Sequence, residues 1–237
     1  MAAVEDALAA VADVEGWLTP AQATRLWERA RELGPGARVV EIGSDRGRSA
    51  IVLAMAAPAG AQLIAIDPHA GNDRGPQQIE GTAQEGERDN AAFRANLDRA
   101  GVTGRIRHVR LPSHDALAEV PGELDLLYVD GAHRYGPARD DLAGWGARVR
   151  GGGRMLVHDS FSSIGVTLAI ARVLLLGGNF RYEGRTGSLA EYTRAPLTGT
   201  ARMRNALRQC AELPWFTRNV VIKILTVLRL RRGDWPY

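Results

Sequence analysis

Two short runs hold the residues best suited to chemistry, Asp130-Gly-Ala-His133 and His158-Asp159, each set where an apolar run stops and a loop begins. Brought to one rim, the Asp130 and Asp159 carboxylates could hold a divalent metal, and the His133 imidazole, with a reference pKa of about 6.5, could accept a proton. Such a set serves attack by a weakly acidic hydroxyl, which benefits from proton removal and from positive charge against the developing alkoxide. Imidazole binds a hard cation less well than a carboxylate, so His158 fits an orienting or hydrogen-bonding role better than that of a ligand.

A third run, Glu41-Ile-Gly43-Ser44-Asp-Arg-Gly47, reads as the turn after a buried strand. Gly43 and Gly47 allow tight turning and close approach of backbone to a ligand. Asp67-Pro68 closes the next apolar run, about 20 residues on, where a carboxylate commonly meets ribose hydroxyls. The turn lacks the third glycine of the dinucleotide fingerprint, and Glu41 puts an anion where a pyrophosphate would lie. A cationic or zwitterionic ligand suits it better, which disfavours the alternative of an NAD- or nucleotide-sugar-dependent oxidoreductase.

The elements that must position these groups alternate along the chain. Thr19, Pro20 and Gln22 form a helix-start signature for a helix to Leu33, ended by Gly34-Pro35-Gly36. Strands are expected at 38–42, 63–66, 105–109, 124–129 and 153–157. Helices are expected through Ala57, over 89–100, 137–149 and 164–176, with a closing hairpin from 180–183 and 188–193. The polar stretch from His69 to Arg88 reads as a long loop whose residues 72–78 suit carbohydrate hydroxyls and could close as a lid. Strand–helix alternation implies an α/β, doubly wound, mainly parallel sheet with right-handed crossovers and its ligand site at the strands' C-terminal edge. Three stretches follow: an N-terminal helical segment at 1–36, a cofactor-binding catalytic domain at 37–195, and a helical extension at 196–237.

The run Val39-Val-Glu41-Ile-Gly43-Ser44-Asp-Arg-Gly47 resembles motif I of class I S-adenosylmethionine-dependent methyltransferases. The resemblance extends over roughly residues 38–194. Val129-Asp130-Gly-Ala-His133-Arg-Tyr135, Asp140-Asp-Leu142, Gly151-Gly-Gly153 and Val157-His158-Asp159 resemble small bacterial O-methyltransferases that include metal-dependent sugar-modifying enzymes. The likeness implies a Rossmann-like sheet of seven strands with the last antiparallel. It implies S-adenosylmethionine at Glu41, Gly43, Ser44, Gly47, Asp67, Pro68 and Asp130, with Ser113 and His114 flanking adenine. It further implies Mg²⁺ on Asp130, His158 and Asp159, a base at His133, and a small-molecule acceptor, a carbohydrate or natural product. A cofactor-binding scaffold without turnover is the non-enzymatic alternative.

Composition bounds the rest. The single cysteine, Cys210, cannot form an intrachain disulfide, no Cys/His cluster has zinc spacing, and a reducing cytoplasm is the natural setting. The Ala/Val-rich start carries Glu5, Asp6, Asp13 and Glu15 with no basic region ahead, a poor signal peptide. No apolar run reaches the roughly 18 residues of a membrane span. Residues 1–200 hold 22 arginines against 25 acids, whereas 201–237 hold 8 basic residues against 2 acids. Positive charge confined to a tail does not fit a nucleic-acid substrate. In that tail Phe216, Val220, Val221, Ile224, Leu225, Val227 and Leu228 project onto one half of a helical wheel, with Arg218, Lys223 and Arg229 on the other. Two uses follow for 214–232: peripheral contact with anionic lipid at the inner membrane face, or packing on its own sheet or a second subunit as a homo-oligomer. Packing is the commoner fate of an amphipathic helix.

Overall fold

The computed structural model describes residues 3–71 and 81–228. The proposed lid residues 72–78 and the end of the basic segment, Arg229 included, lie outside them. Strands β1 (Arg38–Ile42), β2 (Gln62–Ile66), β3 (Ile106–Val109), β4 (Leu124–Val129), β5 (Val149–Val157), β6 (Phe180–Thr186) and β7 (Leu189–Arg194) form one sheet in the order β3-β2-β1-β4-β5-β7-β6. β7 alone runs against its neighbours, β5 and β6, and the other pairings are parallel. The order reverses between β1 and β4, the point at which doubly wound sheets open a ligand crevice beyond the strand ends.

Each strand alternates its side chains between two apolar layers. Val39, Leu63, Leu126 and Leu156 face a layer with α1 (Val4–Ala10), α2 (Pro20–Arg31), α3 (Arg48–Ala56) and α4 (Ala83–Arg99). Val40, Ile42, Leu127 and Val157 face the other, with α5 (Ser113–Glu119), α6 (Tyr135–Gly144) and α7 (Ile164–Ile170), the last continuing as a π-helical turn through Leu175. Helices α8 (Gly199–Cys210) and α9 (Leu213–Val227) close the second face, and Trp215 and Phe216 pack on its core. Among the described residues no helix is long and apolar enough to cross a membrane.

The Thr19–Gln22 capping box forms as expected, Gln22 N donating to Thr19 Oγ1 at 3.3 Å. Four boundaries differ from the sequence reading. Helix α4 begins at Ala83 rather than Asp89, because Thr82 and Glu85 form a second capping box that the surrounding polar stretch conceals. Helix α5, which Ser113 and His114 open, is not among the expected helices. Helix α6 ends at Gly144, and Val149, expected to finish it, starts β5 opposite Leu124. The glycines 151–153 therefore lie inside a strand, beside a register shift between Leu124 and Leu126 that absorbs the extra residues.

One buried acid ties α2 to the antiparallel strand. Glu191 of β7, 3% exposed at its side chain, accepts from Arg154 Nη1 at 2.6 Å and forms ion pairs with Arg29 Nε at 3.0 Å and Arg25 Nη2 at 2.6 Å. Removing the shared anion leaves three cations without it, whereas removing one arginine leaves two partners in place. Glu191→Ala is expected to lower the unfolding free energy by about 3 kcal/mol. Arg25→Ala should cost less than about 1 kcal/mol. Urea titrations of the two variants check this, and equal losses would contradict it.

Candidate active site

The parallel register decides what meets at the rim. Ile42 pairs with both Ile66 and Val129, and Val129 pairs with Val157, so the residues that follow, Gly43, Asp67, Asp130 and His158, emerge side by side. Backbone hydrogen bonds continue the ladder one step further: Gly43 N to Ile66 O at 2.9 Å, Asp130 N to Ile42 O at 2.8 Å, and His158 N to Val129 O at 2.9 Å. Gly43 takes φ +84°, and a Cβ there would stand 2.0 Å from the Asp130 carbonyl oxygen. Only glycine lets the β1 turn and the end of β4 approach this closely at the switch point.

Glu41 lies one residue inside the rim and is 2% exposed, beside Tyr128 in the adjacent strand. Both carboxylate oxygens are buried without a hydrogen-bond partner. Burial raises its pKa to about 8, the nearby Ser49 and Ser44 hydroxyls opposing and the Asp130 and Asp67 charges adding. A buried carboxylate without a partner could receive a cation such as a ligand's ammonium. Asp67 Oδ2 accepts from Asp45 N at 2.9 Å and its Oδ1 from His69 N at 2.7 Å. Each oxygen can accept a second bond, which suits vicinal hydroxyls. Gly47, at φ +87°, starts α3, and Pro68 is exposed with its carbonyl accepting from Arg110. The Ser113 hydroxyl donates to buried Asp141, while His114 is exposed beside Asp115. His69, placed after Asp67, is buried against Phe93 and His108 rather than opening onto the rim.

Beyond β4 and β5 the rim carries a chain of alternating charge. The Tyr128 hydroxyl donates to Asp130 Oδ2 at 2.7 Å. His158 Nδ1 stands 3.2 Å from Asp130 Oδ1 and 3.8 Å from Asp159 Oδ1, ion-pair contacts off the line of a hydrogen bond. Asp159 Oδ2 meets His133 Nε2 at 2.8 Å, and its Oδ1 accepts from Ser162 at 3.1 Å. His158 Nε2 faces Gln22 Oε1 at 3.4 Å, and Gln22 Nε2 donates to Ser188 at 3.0 Å. Asp159 holds the left-handed conformation, φ 55°, followed by Phe161 at 56°, which turns its carboxylate to the histidines.

Electrostatics follow from this order. Burial pushes the His158 pKa down, but the Asp130 carboxylate and then Asp159 outweigh it and raise it to about 9. For His133 burial also lowers, and the hydrogen bond and charge of Asp159 prevail to raise it. Burial would raise Asp159, yet the His133 hydrogen bond and both imidazolium charges hold it well below the usual carboxylate range. Asp130, His133 and Asp159 can each turn one donor atom to a point where all lie within 4.8 Å of one another, a two-oxygen, one-nitrogen set that fits a divalent cation.

Tyr128, Gln22 and Ser162 escaped the sequence reading. Tyr128 carried a usable signal, because a residue two before Asp130 on one strand shares its face. Gln22 had been accounted for as a cap, and its amide reaches His158 only across 136 residues of chain.

Residues 40–160, just over half the chain, match the model of a family described as "Methyltransferase domain". Solved structures share the fold. Cofactor-bound Rv0187 from MTB is 21% identical at TM-score 0.55, over 82% of this chain and 90% of that one. The O-methyltransferase TomG from Streptomyces achromogenes, in complex with SAM, is 19% identical at TM-score 0.52, over 83% and 89%. An O-methyltransferase from Bacillus cereus in complex with SAH is 16% identical at 0.52, over 82% and 90%.

The His158 shift has a consequence for folding. A pKa raised to about 9 from 6.5 contributes stability that is complete below 6.5 and is lost as pH rises through 9. Denaturation midpoints of the wild type should therefore fall between pH 7 and 9.5, and His158→Gln should flatten that fall. Parallel pH profiles would contradict the ion pairing.

Proposed function

The chain belongs to the class I S-adenosylmethionine-dependent methyltransferases, the family its domain matches, and we propose that it methylates a hydroxyl of a sugar or other small polyol-bearing metabolite. Family membership sets aside the oxidoreductase alternative. The observation that supports hydroxyl transfer is the 2.8 Å His133–Asp159 pair standing at the rim beside the end of β1. Glu41 would receive the ammonium of the cofactor's methionine part, Asp67 the ribose hydroxyls, and Gly43, Ser44 and Gly47 the path between them. Pro68, Ser113 and His114 are assigned to the adenine end.

In the reaction the acceptor oxygen forms a bond to the methyl carbon as the carbon–sulfur bond breaks, its electron pair staying on sulfur to give S-adenosylhomocysteine. With Nε2–H donating to Asp159, Nδ1 of His133 takes the acceptor's proton. Asp159 fixes the tautomer and stabilises the imidazolium that forms, and Asp130, held by Tyr128, positions the acceptor. Placing the oxygen in line with the sulfonium methyl supplies the rest by proximity.

A divalent ion such as Mg²⁺ would be held by Asp130 and Asp159, with His133 or His158 as the nitrogen donor, and would supply positive charge against the alkoxide. A neutral imidazole has one lone pair, so His133 can be ligand or base and not both. The carboxylates serve under either arrangement.

The test is methyl transfer from labelled S-adenosylmethionine across a panel of sugars and polyols. An acceptor hydroxyl should become methylated, with turnover rising with pH through the raised pKa of His133. His133→Ala and Asp130→Ala should bind S-adenosylhomocysteine within about threefold of wild type yet lose turnover by about 10²–10⁴. Unchanged turnover in both variants, or methylation confined to nitrogen or carbon, contradicts the reading. Loss of activity on chelation, restored by Mg²⁺, assigns His133 or His158 to the metal; activity surviving metal removal assigns the carboxylates to hydrogen bonding.

A further inference from the structure

Helices α8 and α9 are built inside out. Their inward faces are amides: Asn205 accepts from Tyr182 N at 2.7 Å and donates to Phe180 O at 3.1 Å. Asn219 donates to Phe161 O at 3.0 Å, and Gln209 lies against the Tyr192 hydroxyl at 3.4 Å. All three amides are buried. The outward faces are apolar. Met203 and Leu207 of α8 are 65% and 64% exposed, and Val221, Ile224 and Leu228 along α9 are 48%, 52% and 60% exposed. These fall four, three and four residues apart, one stripe on each helix. An ordinary surface helix buries its apolar stripe and shows its amides to water. The sequence favours packing of the α9 apolar half on the protein or a second subunit over a membrane; among the described residues of α9, Trp215 and Phe216 at its start pack on the core.

Charge selects the occupant. Arg202, Arg204, Arg208 and Arg218 are exposed on the same two helices. The one acid between residues 201 and 228 is Glu212, and it is turned inward, accepting from Tyr182 Oη at 2.8 Å and Arg185 Nε at 2.7 Å. A two-fold contact between copies sets a patch against itself, and this patch would bring arginines together with no carboxylate to receive them. An anionic bilayer supplies apolar depth for the leucines, valine and isoleucine and phosphate charge for the arginines at the headgroup level.

We infer that the outer faces of α8 and α9 form a docking surface for an anionic lipid bilayer. Asn219 ties the docked helix to Phe161, two residues beyond Asp159, so docking sets the catalytic rim at a fixed place relative to the membrane. The inference is independent of the acceptor assigned to His133.

The full-length chain is tested by flotation with vesicles of pure phosphatidylcholine and of phosphatidylcholine with about one third phosphatidylserine, alongside sedimentation equilibrium without lipid. Binding to the anionic vesicles alone is expected, weakened at least about tenfold by Val221→Glu with Ile224→Glu, and separately by Met203→Glu with Leu207→Glu. The substituted residues are exposed, so melting temperatures should hold and report any misfolding. Salt at about 0.5 M should release the protein. Failure of the wild type to float with anionic vesicles overturns the inference, as does equal flotation with both vesicle types. A dimer dissolved by the same variants, without vesicle binding, assigns the surface to a second copy instead. Loss of methyl transfer with vesicle binding intact would bear on the proposed activity and leave docking standing.

Discussion

Everything at the rim depends on two carboxylates held apart by an imidazole. Asp130 leaves β4 level with His158, Asp159 follows one residue later on the neighbouring parallel strand, and like charges so placed in a partly buried setting would repel or take up protons. His158 lies between them, 3.2 Å from one and 3.8 Å from the other, and the pair in turn keeps it cationic. That exchange frees the far oxygen of Asp159 to hold His133, and the far oxygen of Asp130 to accept from Tyr128. From Asp130 through His158 and Asp159 to His133 the charges alternate, so that the carboxylates raise both imidazoles and the imidazoles lower Asp159.

This arrangement constrains the fold around it. The contact needs β1, β4 and β5 in register, and a glycine at position 43 so that the first turn can lie on the Asp130 carbonyl. It needs α2 close enough for Gln22 to reach His158, which the Glu191 ion cluster secures from the other end of the same helix. It needs the left-handed turn at Asp159 and Phe161, and α9 holds that turn through Asn219. The elements added before and after the sheet therefore fasten the rim loops as well as covering the core.

Much of this was legible because the physics is local. Apolar runs that stop at Asp67, Asp130 and His158 mark strand ends, and the parallel topology brings those ends together. What stayed hidden depends on distance or on residues whose polarity misleads. The helical wheel of α9 locates its apolar half but cannot say that the amides of Asn205, Gln209 and Asn219 take the inner face. Gly151 and Gly152 fall between the expected helix and the expected strand at 153–157, and only pairing of Val149 with Leu124 makes them strand. The Thr82–Glu85 cap was written in the sequence, yet polar neighbours masked it. Glu41 was legible as an anion in an unusual place; its burial without a partner required coordinates.

The most direct test of the alternating chain is an NMR titration of the histidine side chains in the full-length protein, with ring nitrogens and carbons labelled. His158 should titrate near 9, with both ring nitrogens protonated at neutral pH, and His133 should titrate above 6.5. A His158 that is neutral at pH 7, or a His133 that titrates below 6.5, would contradict the account.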